Sequence, residues 1–245
     1  HLHATQTIQC LKSDLNVICE KPMAIKIEDA RKMISTSEST GKSVFVVKQL
    51  RYYPHIQFIK SLLTNHQLGK IFSFHINCFW NRPETYYLAW KGKKETDGGT
   101  LFTQFSHYID LILWLFGDVH NFQFLAKNYS HPKIEFEDTG ILSYTMSCGT
   151  IGSFNYNVTA TRRNLENAIS IFAEKASFRL SGPFLNHFEY FESDSIEIPE
   201  HLMTKNNLGT IAGHEKVFEN ILNALEGREN ATLKAEESIK SIELI

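Results

Sequence analysis

Two stretches of the sequence carry side chains able to move a proton. In "NVICEKPMAI" an apolar run beginning at Asn16 ends in Glu20, Lys21 and Pro22. If the run is a strand of an open parallel sheet, its carboxyl end faces the crevice where such sheets bind ligands. Lys21 is then delivered to that edge, and Pro22 stops the strand and fixes the turn. An ammonium group held there can bond a substrate hydroxyl or a ribose, and desolvation lowers its pKa toward what proton transfer requires. Taken alone, three residues favour the plainer reading of a solvated Glu–Lys pair on a surface turn. In "DGGTLFTQFSHYIDLILWLFG" the polar residues Thr103, Gln104, His107 and Asp110 recur at offsets of three and four, which share one face of a helix. The rest of that helix is apolar. A buried helix with His and Asp one turn apart needs partners for both. Either a cleft supplies them, for catalysis or substrate binding, or His107 and Asp110 satisfy each other beneath a sheet. Metal binding ranks lower, because His107, Asp110 and the distant His75 have no zinc spacing.

The elements that must hold these residues follow from periodicity. "HLHATQTIQCLKSD" predicts a helix with Ala4, Ile8 and Leu11 on one side, and it reads as cut from something longer, with no capped tail before it. "NVICE" and "SVFVVKQ" predict short strands covered on both faces, as in a parallel sheet. Between them "KIEDARKMISTSESTGKS" predicts a helix with Ala30, Met33 and Ile34 on one side, stopped by Gly41. This alternation is the back end of a doubly wound α/β domain. After Pro54 the pattern changes. A helix over "HIQFIKSLLTNHQLG" is followed by "KIFSFHINCFW", where Phe72, Phe74, Ile76, Cys78 and Trp80 alternate with Ser73, His75 and Asn77 as in a half-buried antiparallel strand. A hairpin around Cys148-Gly149 sets Leu142, Tyr144 and Met146 against Phe154, Tyr156 and Val158, and "AISIFAE", "SFRLSG" and "FEYFESDSIEI" extend the sheet. Two helices close the chain, one ended by Gly227 and one beginning near Thr232. The expected organisation is an α/β remnant over residues 1–50 and, over 51–245, an α+β domain with a mainly antiparallel open sheet and helices on one face.

Composition narrows the function classes. A chain of 245 residues, 42% hydrophobic and 21% charged, buries a substantial core, and a formal charge of −2 offers neither a basic stripe for nucleic acid nor an acidic tail. Cys10, Cys19, Cys78 and Cys148 lie far apart beside apolar residues, which suits buried free thiols in a reducing, cytoplasmic compartment. The apolar run "IDLILWLFG" is too short to span a bilayer, and the N-terminus lacks a signal-peptide layout. No membrane partner is expected.

The motifs "EKPMA", "QLRYYP", "LGKIFSF" and "WKGKKETDGGTLFTQFSHYIDLILWLFGDV" resemble, in order and spacing, the Gfo/Idh/MocA family of nicotinamide-dependent sugar oxidoreductases. The likeness covers essentially the whole chain. It implies a Rossmann domain binding NAD or NADP, then a sheet domain that forms the substrate wall and a homo-oligomer interface. It assigns Glu20, Lys21, Pro22 and Arg51 to the cofactor edge, and Lys21, His107 and Asp110 to catalysis. The segment "WNRPETYYLAWKGKKETDGG" is similar to the subset that oxidises nucleotide-linked sugars, above all the C3 dehydrogenases of UDP-N-acetylglucosaminuronic acid. The likeness implies substrate contacts from Thr103, Gln104, Arg82 and the segment's aromatics, and from Arg162 and Arg163 to a pyrophosphate or carboxylate. Each of these charges also reads as a solvated loop residue, and a free sugar, an inositol or a related polyol stays open as the substrate.

The chain departs from the pattern twice. Thr103 stands where the family commonly has Asp or Asn; a hydroxyl bonds a sugar but takes no proton at neutral pH, which shifts the base role to His107 or Lys21. No Gly-x-Gly-x-x-Gly occurs, and the likeness places that fingerprint before His1. The full-length parent is therefore expected to be the enzyme, while the chain alone is expected to be inactive and without NAD(P) affinity. The competing reading is a non-catalytic sheet domain for ligand binding or oligomerisation.

Overall fold

The computed structural model describes residues 1–203, 210–228 and 233–245. The first part runs α1 (His3–Lys12), β1 (Val17–Cys19), α2 (Ile27–Thr40) and β2 (Val44–Val46). The two strands pair in parallel, with Val17 opposite Val44 and Cys19 opposite Val46. Apolar spacing on the helices drives the packing: Ala4 and Leu11 of α1 meet Ala30 and Met33 of α2 over Cys19, Val44 and Val46. Gly41 ends α2 at φ 66°, the left-handed conformation glycine adopts without steric cost. β2 is covered on both faces as expected, since Phe45 packs with Val217, Ile221 and Leu233 on its other side. β1 is not. The strand's alternation turns Ile18 away from the helices, and it stays 44% exposed.

The second part continues with a 3₁₀ turn (Gln49–Tyr52), α3 (Pro54–Thr64), β3 (Ile71–Phe79), a 3₁₀ turn (Glu84–Tyr87), α4 (Lys94–Asp97), α5 (Thr100–Thr103), α6 (Ser106–Phe116) and β4 (Val119–Lys127). It ends with β5 (Thr139–Met146), β6 (Ile151–Asn157), β7 (Glu166–Ala173), β8 (Ser177–Ser181), β9 (His187–Glu192), α7 (Glu200–Met203), α8 (Thr210–Leu225) and α9 (Ala235–Leu244). Seven strands form one sheet in the order β4-β5-β6-β3-β7-β8-β9. It is mixed. β3 runs antiparallel to β7 but parallel to β6, with Ser73 opposite Ile151 and Phe79 opposite Asn157, so the purely antiparallel setting expected for this strand holds on one side only. Phe72 also departs from the expected alternation: it is the extra residue of a register shift between Ile71 and Ser73, and it turns out to solvent, 51% exposed. The edge strand β4 gave no periodic signal, because every residue after Val119 is exposed.

α3 and α6 cover one face of the sheet. Ile56 and Ile59 from α3, and Ile109, Ile112 and Phe116 from α6, pack on Phe74, Ile76, Leu142, Phe154 and Ile171. The Phe74 and Phe116 rings stack 4.0 Å apart. The opposite face is open and carries Leu125, Ile141, Ile151 and Phe172 among its exposed residues. α9 lies between the two parts: Ala235 and Ile242 join the first core, and Leu244 and Ile245 reach the second. The expected start of that helix near Thr232 lies outside the described residues. Gly227 follows α8 at φ 71°. All four cysteines are free; Cys19 and Cys78 are buried and Cys10 partly so, but Cys148 is exposed, because the hairpin turn that carries it projects from the sheet. No helix among the described residues is long and apolar enough to cross a membrane.

The packing of β6 on β3 leaves no room at Gly152, where an added Cβ would meet the Phe74 ring at 2.1 Å. Gly152→Ala therefore forces Phe74 out of its stack with Phe116, and chemical denaturation should show a loss of about 1–3 kcal/mol, the usual cost of overpacking. An unchanged unfolding midpoint would mean that the core yields freely there.

Candidate active site

The strand ends and the broken helix converge on one region. Lys21 leaves the carboxyl end of β1, as the crevice rule requires, and its Nζ donates to the backbone carbonyl of Thr103 at 2.7 Å. The Lys21–Pro22 bond is cis, and the Pro22 carbonyl accepts from His3 Nδ1 at 2.8 Å. Glu20 is exposed, and its carboxylate accepts from the backbone N–H of Lys21 at 3.2 Å. Burial strips water from the Lys21 ammonium and brings its pKa down to about 8, against the pull of Glu20 and with help from Arg82.

The single helix expected to carry Thr103, Gln104, His107 and Asp110 on one face is two helices. It breaks at Gln104–Phe105, where the Phe105 side chain takes a fully buried place against Trp80, Phe154 and Tyr156. The break changes what each polar residue meets. The Thr103 hydroxyl turns back to the Gly99 carbonyl at 3.2 Å, leaving its main-chain oxygen for Lys21. Gln104 points elsewhere and donates to the Tyr87 hydroxyl at 3.1 Å. Only His107 and Asp110 share α6.

His107 borders a small cavity of about 30 Å³ together with Lys21, Lys48 and Asp110. Its Nε2 meets the Gln49 side-chain amide at 3.2 Å; with the amide nitrogen as donor, the neutral ring carries its proton on Nδ1. Burial, with the nearby Lys21 charge, holds the imidazole well below the ordinary histidine range despite the opposing pull of Asp110. The ring is thus a neutral base. Asp110 receives a bidentate pair from Arg51, Nε at 2.7 Å and Nη2 at 2.8 Å, and Lys48 Nζ lies 2.7 Å from its Oδ1 as an ion pair rather than a directed hydrogen bond. Burial alone would raise the Asp110 pKa, but Lys48 and Arg51 outweigh it and lower it. Arg51 also donates from Nη1 to Glu237 of α9 at 2.9 Å and lies over the Trp114 ring. Its guanidinium is therefore in the network behind His107.

A larger cleft of about 750 Å³ opens past Lys21, Pro22 and Thr103, bordered by the start of α1 and by Tyr86, Trp90, Lys91 and Asp97. Arg82 stacks on Trp80 and Tyr86 and donates from Nη1 to the Asn81 carbonyl at 2.7 Å and to Asn164 at 3.2 Å. Arg162 and Arg163 sit on an exposed turn, Arg162 at φ 69°, and do not border the cleft. The sequence reading passed over Lys48 and Gln49. The rule that picks out Lys21 applies to them equally, since they leave the carboxyl end of β2, but the apolar run of "SVFVVKQ" places them inside the strand.

A profile of the GFO/IDH/MocA C-terminal domain matches residues 56–179, and one of the NAD-binding Rossmann fold of the oxidoreductase family matches residues 1–48. Two solved structures resemble the chain closely. The WlbA dehydrogenase of Bordetella pertussis, in complex with NADH and UDP-GlcNAcA, is 31% identical over 99% of this chain and 71% of its own, with a TM-score of 0.88. The WlbA dehydrogenase of Chromobacterium violaceum, with the same two ligands, is 33% identical over 99% of this chain and 70% of its own, with a TM-score of 0.90. Glucose-6-phosphate 3-dehydrogenase of Bacillus subtilis is 30% identical over 46% of this chain and 33% of its own length. The match spans about a third of the length of the first curated relatives.

The Asp110 network makes a stability prediction with a sign. A carboxyl whose folded pKa is depressed stabilises the fold above its unfolded pKa and loses that contribution as pH falls through the folded value. Asp110→Asn leaves Lys48 and Arg51 buried around a neutral amide, so urea melts at neutral pH should show a loss of about 3–5 kcal/mol. The variant should also lack the part of the acid-side decline that Asp110 contributes. Equal midpoints at neutral pH would refute the assignment.

Proposed function

The chain belongs to the GFO/IDH/MocA oxidoreductase family, and from that premise we propose that the whole protein moves a hydride between a sugar hydroxyl carbon and NAD(P), with Lys21 and His107 handling the hydroxyl proton. The observation that carries this reading is the meeting of a lysine brought down to about 8 and a histidine held neutral at the border of the same cavity. Near pH 8 Lys21 accepts a proton, as oxidation of a secondary alcohol demands, while the neutral imidazole of His107 accepts a hydrogen bond from the same hydroxyl.

The residues present suit the nicotinamide end of the cofactor. Pro22 and Lys21 border a cleft of about 750 Å³, roomy enough for a flat ring beside a sugar, while no glycine-rich phosphate cradle occurs in this sequence. When bound, the nicotinamide accepts the hydride. Everything else is done by the chain's own groups. Lys21, fixed by the Thr103 carbonyl, presents a neutral amine to the hydroxyl. His107, its Nε2 met by Gln49, receives or relays the proton. Asp110, Arg51 and Lys48 act by positioning α6, and Arg82 and Thr103 set the wall against which the sugar lies. The open face of the large sheet, with Leu125, Ile141, Ile151 and Phe172 exposed, is the surface on which a second copy would dock.

For the substrate, the likeness to the two WlbA dehydrogenases, each in complex with UDP-GlcNAcA, supports UDP-N-acetylglucosaminuronic acid, and the resemblance of the segment from Trp80 to Gly99 adds C3 as the carbon oxidised. In the whole protein, UDP-N-acetylglucosaminuronic acid should drive NAD(P) reduction where the free sugar does not, because the nucleotide supplies the binding energy that positions the ring. Equal rates with glucose or inositol would defeat the nucleotide-sugar assignment, and turnover of glucose 6-phosphate alone would favour the phosphosugar relatives. Lys21→Ala and His107→Ala should each lower kcat by about 10²-fold or more. Because the lysine must be neutral to take a proton, the oxidation rate should climb with pH through about 8 and level off above it. A profile flat across that region would remove Lys21 as the base.

A further inference from the structure

A series of rings and cations runs from inside the fold to the cleft, which Tyr86, Trp90 and Lys91 border. The Arg82 guanidinium lies 4.7 Å from the centre of the Trp80 ring and 5.2 Å from that of Tyr86. The Lys91 ammonium lies 3.7 Å from the centre of Tyr86 and 5.7 Å from that of Trp90. The two ends of this series differ. Arg82 is inward and already donates to Asn81 and Asn164, whereas Lys91 borders the open cleft and has no carboxylate partner among the described residues. Trp90 stands beside it with 45% of its surface exposed, although a tryptophan gains most by burial.

The exposure of Trp90 is enforced by its loop. Ala89 takes φ 63°, which costs a residue with a Cβ about 1 kcal/mol or more, and Gly92 follows at φ 84°. The Thr96 hydroxyl holds the Trp90 carbonyl at 2.5 Å, and the buried Asp97 carboxylate accepts from the Gly92 N–H at 2.8 Å. The loop is thus pinned with the indole turned outward and a cation next to it. A part-exposed indole, with the His1 ring 6.2 Å from it, next to an ammonium that makes no ion pair among the described residues matches a ligand that is itself a ring joined to an anion.

We infer that the mouth of this cleft binds a nucleoside diphosphate, the base stacking on Trp90 and the diphosphate pairing with Lys91, while the sugar it carries extends inward to Lys21. The inference rests on the nucleotide-sugar reading above and assigns its phosphate contact to Lys91, which borders the cleft, rather than to Arg162 and Arg163, which do not. Stacking of a base on an exposed aromatic tolerates any base identity, so the ring supplies affinity and the ammonium supplies the preference for the charged ligand.

The test is calorimetric titration of UDP into the whole protein and into Trp90→Ala and Lys91→Ala. UDP should bind the wild type, and each variant should bind about tenfold more weakly or worse, the scale of one lost stacking or charge contact. Lys91→Ala should also flatten the salt dependence of UDP binding, which a merely structural loss would leave intact. Absence of UDP binding to the wild type, unchanged affinity in both variants, or weakened binding with the full salt dependence retained in Lys91→Ala would each overturn the inference. NADH formation from UDP-N-acetylglucosaminuronic acid, followed separately, keeps the two readings apart. Turnover with unaltered UDP affinity in both variants sinks only the Lys91–Trp90 site, and lost UDP affinity without turnover of any sugar sinks the dehydrogenase reading instead.

Discussion

One buried carboxylate fixes the geometry on which the rest depends. Asp110 is shared by Lys48 from the end of β2 and Arg51 from the adjoining 3₁₀ turn, and Arg51 passes the connection on to Glu237 of α9. Three separate stretches of chain are thereby tied together. Taking these charges out of water is costly, and only their close pairing offsets it. The arrangement tolerates little displacement, so α6 has one seat on the strands of the first part. His107 lies one turn before Asp110 on that helix and inherits its fixed position. Burial and then Lys21, from outside the cluster, oppose a proton on the ring, and within the cluster Asp110 favours one while Lys48 opposes it.

Much of the architecture was legible because periodicity and burial agree. The alternation of Leu142, Tyr144 and Met146 with exposed neighbours is what a one-faced sheet produces, and these residues are buried in the core. Where the two signals part, the reading failed. β4 has almost no buried residue, Phe72 is displaced by a bulge, and Ile18 belongs to a strand covered on one side only. In the site, Lys21 was legible because a strand followed by proline marks a crevice edge. The break at Gln104–Phe105 was not, since helical spacing in "TQFSHYID" is consistent with one continuous helix. The fully buried place of Phe105 among three rings decides against it, and no local pattern encodes a tertiary pocket. Gln49 was missed for a related reason: its value lies in the side chain it faces across the fold.

The break gives the site something a continuous helix would withhold. In an unbroken helix the Thr103 carbonyl would accept the N–H of the residue four positions on, here His107. The interruption frees that oxygen, and Lys21 takes it. A backbone acceptor holds the amine without adding a negative charge, so the lysine is oriented with less stabilisation of its protonated form than a carboxylate would give. A carboxylate in the same place would have oriented the amine equally well and raised its pKa.

The central place of β3 has a consequence for how the chain is made. Its two neighbours, β6 and β7, are synthesised long after it, with three short helices, a long helix and two further strands in between. When β3 leaves the ribosome it has α3 to lie against but no strand to pair with. Its backbone groups and the apolar row of Phe74, Ile76 and Cys78 wait until β7 has been completed. Such non-local pairing slows folding and prolongs the interval in which an unpaired strand can meet another nascent chain. The exposed side of the strand bears Ser73, His75 and Asn77 rather than apolar residues, and that polarity is its protection while it waits.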